Sequence, residues 1–218
     1  MRYLEETDLE DLSGDALILL VNIFDDQSVN AVSDTFTQKL IDAMEFVIDE
    51  SGTQYALISL FTVLLPYYEK IQSDNNLIID AFLAKEQIYK EKMLHLVIRG
   101  SMYRLDKSMQ TITVLMTNPR TVDRFFSNND FGLIVDCCLR ELLSKNTSRS
   151  RVQIFRVLNL ILDNPTWVDN NLHRLADFNK MIETVVIHED EGEELVVKER
   201  EEIMRLNMRL IKLNKKKR

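Results

Sequence analysis

The chain has 218 residues, 45 % of them hydrophobic and 28 % charged, with a net charge of -8. That length can bury a substantial core, and the balance excludes a disordered chain. Only 5 glycines and 3 prolines leave little turn chemistry for a many-stranded sheet, and long 3.6-period apolar runs point to an all-α protein.

The charge is unevenly placed. Residues 1–50 hold thirteen acidic and two basic residues, whereas residues 99–156 hold ten basic and five acidic ones. A mildly basic middle of this kind lacks the dense Lys/Arg footprint of a nucleic-acid binder. Met1 to Gly14 is acidic and has no apolar h-region, so no signal peptide is expected. The most apolar run, Tyr55 to Tyr68, is too short and too interrupted to span a bilayer, and the chain reads as soluble. Cys137 and Cys138 are adjacent and give no disulfide framework, which suits a reducing compartment.

In chain order, Leu17 to Phe24 reads as a short apolar helix. Asp34 to Asp49 follows with Phe36, Leu40, Ala43, Met44 and Val47 on one face. Thr53 to Ile71 reads as a long helix that Pro66 kinks or divides, because proline lacks a backbone donor and clashes with the preceding turn. Leu77 to Ala84 is short, and Gln87 to Met102 is amphipathic. The next helix buries Leu105, Met109, Ile112 and Met116 and ends at Asn118-Pro119. Thr121 to Phe126 connects it to two helices that are apolar on almost every side.

The first of these, Phe131 to Leu143, should follow an N-cap at Asn129-Asp130, with Asp136, Arg140 and Ser144 on one narrow polar stripe. The second, Arg151 to Asp163, should present Arg149, Gln153 and Arg156 on an open face and stop at Asn164-Pro165. Two nearly buried helices joined by a polar turn suit the interior of a stack. Thr166 is expected to cap a helix reaching about Ile187, with Val168, Leu172, Leu175, Ile182 and Val185 inward. After the acidic breaker at His188 to Gly192, a last helix places Val196, Ile203, Leu206, Leu210 and Leu213 on an approximate heptad. Glu199 interrupts that heptad, and the chain ends in Lys215-Lys-Lys-Arg218.

About ten helices with short connections give the expected fold, an all-α solenoid of armadillo or HEAT type with degenerate repeats. Residues 1–190 would form the solenoid. Residues 191–218 would cap it, with dimerisation through the C-terminal helix as the alternative.

Chemistry is sparsely represented. His95 and His173 fall on charged stripes, and His188 ends a helix, where a cation suits the dipole. None shares a metal-ligand spacing with another or with the cysteines, so no metal and no cofactor is expected. Cys137-Cys138 reads as small buried packing rather than as a reactive thiol. There is no glycine-rich phosphate loop and no nucleophile elbow, and the acid pairs Asp25-Asp26 and Glu201-Glu202 lack a pocket to shift them, so an enzyme is not expected. What remains is the arginine group Arg140, Arg149, Arg151 and Arg156. It reads either as a solvated face or as the rim of a surface that grips an acidic or helical partner through planar, paired hydrogen bonds.

The same stretch carries a resemblance. Phe125-Phe-Ser-Asn-Asn-Asp130, Leu133-Ile-Val-Asp136, Leu139-Arg-Glu-Leu142, and Arg151 with Phe155-Arg-Val-Leu158 and Leu160-Ile-Leu162 resemble the leucine-rich armadillo domain of the WISH/DIP/SPIN family. The pattern is an aromatic pair, a polar Asn-Asp turn, an apolar run holding Val-Asp and Leu-Arg, and an Arg-led helix. About forty residues match closely, while Gly132 and the cysteine pair depart from it. The resemblance implies a non-enzymatic activator of the actin-related protein 2/3 complex. Such an activator starts linear seed filaments without a pre-existing mother filament and acts in the cytoplasm at the cortical actin cytoskeleton. The alternative is a generic helical-repeat adaptor with no direct effect on actin.

Overall fold

The computed structural model describes residues 34–46, 64–65, 77–84, 87, 90–91, 94, 105–122, 124–143, 148–185 and 193–216. Among the described residues every regular element is helical and none is a strand. The expectations for Leu17 to Phe24, the Pro66 kink, His95, His188 and the last two residues lie outside the described residues, as does most of Gln87 to Met102. The chain divides into two compact units, Met1–Thr121 and Val122–Arg218, whereas the sequence reading set its division at residue 190.

The first unit contains α1 (Asp34–Phe46), α2 (Leu77–Ala84) and α3 (Leu105–Thr117), and α1 packs on α2. Phe36, Leu40 and Ile41 of α1 meet an α2 that buries Ile78, Ile79, Ala81 and Phe82. The seam expected on α3 is the one observed, with Leu105, Met109, Ile112 and Met116 buried. The helix ends where Pro119 cannot continue it. There the buried Thr121 hydroxyl donates to the Leu115 carbonyl at 2.7 Å and takes up a terminal acceptor.

The second unit contains α4 (Asn128–Leu142), α5 (Ser148–Asp163), α6 (Pro165–Asn170), a 3-10 turn (Leu172–Arg174), α7 (Leu175–Thr184) and α8 (Glu193–Lys216). Helix α5 lies against α4, α6 and α8, while α7 reaches both α4 and α8. Phe155, Leu158 and Ile161 of α5 are fully buried, as are Ile134, Val135 and Cys138 of α4. At the start of this unit Phe125 and Phe126 meet edge to face at 4.9 Å, and Phe126 continues the contact to Phe131.

Two helix starts differ from the sequence reading. The N-cap of α4 is Ser127 rather than Asn129-Asp130. Its hydroxyl accepts from the Asp130 backbone amide, and the Asp130 carboxylate accepts from the Ser127 amide at 2.8 Å. This reciprocal pair is a capping box, in which two orphan amides are satisfied three residues apart. The next helix is capped by Asn164 rather than Thr166. The Asn164 side-chain oxygen accepts from the Trp167 amide at 3.0 Å, with Pro165 in the first helical position, where its missing amide costs nothing.

The long helix expected from Thr166 to Ile187 is broken. Asn170 and Asn171 turn their side-chain amides onto the carbonyls of Thr166 and Trp167, each at 2.9 Å, and Asn171 leaves helical geometry. Asparagine competes with the backbone in this way and favours helix ends. The chain restarts through the 3-10 turn, so α7 buries Leu175, Phe178 and Met181 while Ile182 and Val185 are only half-buried. Trp167 and Phe178, both fully buried, pack edge to face at 6.2 Å and join α6 to α7.

Candidate interaction surface

The most elaborate polar construction in the second unit is the seam between α5 and α8. Arg151, which the sequence reading set on a partner-binding rim, is 2 % exposed. Its guanidinium donates to the Glu199 carboxylate, Nε at 2.8 Å and Nη2 at 2.7 Å, and Glu199 is wholly buried. Arg151 shares the helical stripe of Phe155, Leu158 and Leu162, and Glu199 interrupts the heptad of α8. The two anomalies are one feature, a charge pair set into two apolar stripes.

The seam continues along the helices. The buried Glu202 carboxylate accepts from Arg156 Nε at 3.2 Å, from Asn159 Nδ2 at 3.1 Å and from Arg205. Arg209 closes the ladder by donating to Asp163 and to the Asn159 side-chain oxygen. The partners ascend together along both helices, so α8 runs parallel to α5. Between the polar rungs, Val196, Leu206 and Leu210 supply the apolar contact. A ladder of directed hydrogen bonds permits one register, which is the use of buried polar groups best supported on physical grounds.

The four arginines therefore separate. Arg151 is a buried structural cation and Arg156 is part-exposed and bonded to Glu202. Arg140 stands half-exposed near the end of α4, hydrogen-bonded to Glu141 at 3.0 Å, and Arg149 is exposed near the start of α5. Leu143, the C-cap of α4, is 70 % exposed between them in sequence. Arg140 and Leu143 near the end of α4 and Arg149 near the start of α5 are thus the exposed residues of this stretch that bear on partner binding. The polar stripe of α4 is also partly engaged, since Arg174 pairs with Asp136 and ties the 3-10 turn to that helix.

Other groups contribute little chemistry. Both cysteines are buried and neither is in a disulfide, and burial raises the Cys137 thiol and, more strongly, the Cys138 thiol above their ordinary value. They serve as packing. His173 is exposed. A cleft of about 290 Å³ is lined by Leu162, Asp163, Pro165, Val168, Asp169, Leu172 and Leu213, but Asp163 is already committed to Arg209. Among the described residues no three His, Cys, Asp or Glu side chains converge as metal ligands, and no helix is long and apolar enough to cross a membrane.

The outer side of α8 is different in kind. Val197, Met204, Met208 and Ile211 are 45–60 % exposed, opposite the stripe that docks on α5. Sequence reasoning took only the inner heptad. The seven-residue spacing of Val197, Met204 and Ile211 was the signal for a second stripe. The chain matches no family model, no curated protein and no solved structure.

Proposed function

We propose that this chain is an armadillo-type helical scaffold that activates the actin-related protein 2/3 complex and starts linear seed filaments without a mother filament. The observation that carries the reading is the stretch 125–162. Its residues resemble the WISH/DIP/SPIN domain, and in the structure they include the two best-buried helices of their unit, with Arg140, Leu143 and Arg149 exposed near the helix ends. A scaffold can do this work without chemistry. It needs only to bind the arrangement in which the two actin-related proteins mimic a filament end more tightly than it binds the inactive one.

Arg140, Leu143 and Arg149 are the contact residues assigned here, with Arg156 beside them; Arg151 is withdrawn to a structural role. Arginine forks beside an exposed leucine suit an acidic amphipathic helix of the partner. The site of action would be the cytoplasm, at cortical actin.

The test is assembly of fluorescent actin with the purified actin-related protein 2/3 complex, imaged filament by filament. Faster assembly from linear, unbranched seeds is expected, and Leu143→Ser with Arg149→Glu should abolish it without changing the melting of the chain, because both side chains are exposed. No acceleration by a folded chain, and no complex retained on it, would remove the reading. A helical adaptor without effect on actin would take its place.

A further inference from the structure

Helix α8 carries two apolar stripes on opposite sides. One is satisfied by α5. The other, Val197, Met204, Met208 and Ile211, faces solvent over about 21 Å of helix. A helix apolar on both sides is built for a neighbour on both sides, and a seven-residue repeat is the spacing of helix-to-helix seams.

The charge pattern says which neighbour. Five of the six residues 189–194 are acidic, and all four residues 215–218 are basic. The helix itself opens on Glu193 and Glu194 and closes on Lys215 and Lys216, so it runs from an acidic end to a basic one. A parallel copy would set like charges together at both ends. An antiparallel copy sets opposite charges together at both ends, and one helix supplies both halves of the match. The stripe has the same property. About a two-fold axis at Met204, Met204 faces its own copy, Val197 faces Ile211 and Glu193 falls level with Lys215.

From this we infer that the outer face of α8 is a self-association surface, on which a second copy of the chain docks antiparallel about Met204. The contact is isologous and closed, so it yields a dimer and no filament. A seam of four residues a side belongs to the small, transient class of interface, so the dimer dissociates on dilution. The surface shares no residue with Arg140, Leu143 or Arg149, and the inference does not depend on any action on actin.

Sedimentation velocity of the full chain over a range of concentration tests it. The native chain should shift from monomer to dimer as concentration rises. Met204→Glu with Met208→Glu should stay monomeric throughout, with unchanged helicity and Trp167 fluorescence, because both side chains are exposed. Single cysteines then read the direction. Met204→Cys should cross-link to itself, whereas Val197→Cys and Ile211→Cys should cross-link only when mixed. A native chain that is monomeric at every concentration would overturn the inference. So would a dimer that survives the double substitution, or self-linking of Val197→Cys, which marks a parallel pair.

Discussion

Substituting Glu199→Ala should cost the second unit about 3–5 kcal/mol, because it strands Arg151 in the interior without its counter-ion. The magnitude follows from burial. Arg151 and Glu199 are 2 % and 0 % exposed, so neither charge can recover its hydration when the other is removed. At the observed 2.7 Å and an effective dielectric near 20, their attraction is on the order of 6 kcal/mol, which approximately offsets the several kcal/mol lost in dehydrating each ion. A whole domain is stable by only about 5–15 kcal/mol, so the single substitution removes a large share.

The double substitution Arg151→Met with Glu199→Leu should return stability to within about 1 kcal/mol of the native chain or above it, since apolar groups of similar volume need no dehydration. The pair is not fully satisfied even when intact, because Glu199 Oε2 is buried without a hydrogen-bond partner. Trp167 makes the assay specific. It is the only tryptophan, and it is fully buried in the second unit. Urea unfolding followed by its fluorescence therefore reports that unit alone. A loss below about 1 kcal/mol for Glu199→Ala would refute the reasoning, because the charges would then have access to water. The same logic fixes what charge reversal at Arg151 measures: two carboxylates would meet in the seam and α8 would come away, so lost partner binding would report unfolding.

Smaller changes test the local structure. Gly132→Ala should stabilise by about 0.5–1 kcal/mol, since an added Cβ meets nothing within 4 Å and glycine is the weaker helix former; a lower urea midpoint would count against it. Ser127→Ala should cost about 0.5–2 kcal/mol by leaving the capping box half-made, again read by urea unfolding. Cys137 and Cys138 should react slowly with iodoacetamide at mildly alkaline pH in the native chain and promptly in urea, as counted by mass spectrometry. Their native thiol values are raised, so their contribution to stability is complete below the unfolded value near pH 8.5. It is lost as pH rises above that value, where the unfolded chain sheds its protons first.

The parts of the fold that were readable from the chain are those where spacing alone decides burial. The α3 seam at Leu105, Met109, Ile112 and Met116 and the stop at Asn164-Pro165 needed no knowledge of the partner helix. The breaks that were missed turn on one side chain each. Asn171 looks like any polar position on a helix until its amide takes the Trp167 carbonyl, and Ser127 outranks Asn129 as a cap only because Asp130 reaches back to its amide. The arginines divide for a further reason. Type and clustering suggested a shared role, but exposure divides them, and exposure depends on where α8 lies, some 48 residues further along the chain.

That division bears on what α5 can offer a partner. The sequence presents Arg151 and Arg156 as a basic track for a foreign helix, and a helix is indeed what they bind, but it is the chain's own α8. A competing helix would have to displace Glu199 and Glu202 together with the apolar contacts of Val196, Leu206 and Leu210, and would have to supply two carboxylates three residues apart to leave no buried arginine unpaired. Few partner helices meet that demand. The seam therefore acts as a lock on register, and what it leaves outside is Arg140, Leu143, Arg149 and the outer stripe of α8. These two sets share no residue, so the proposed partner contact and the proposed self-association would not compete for the same side chains.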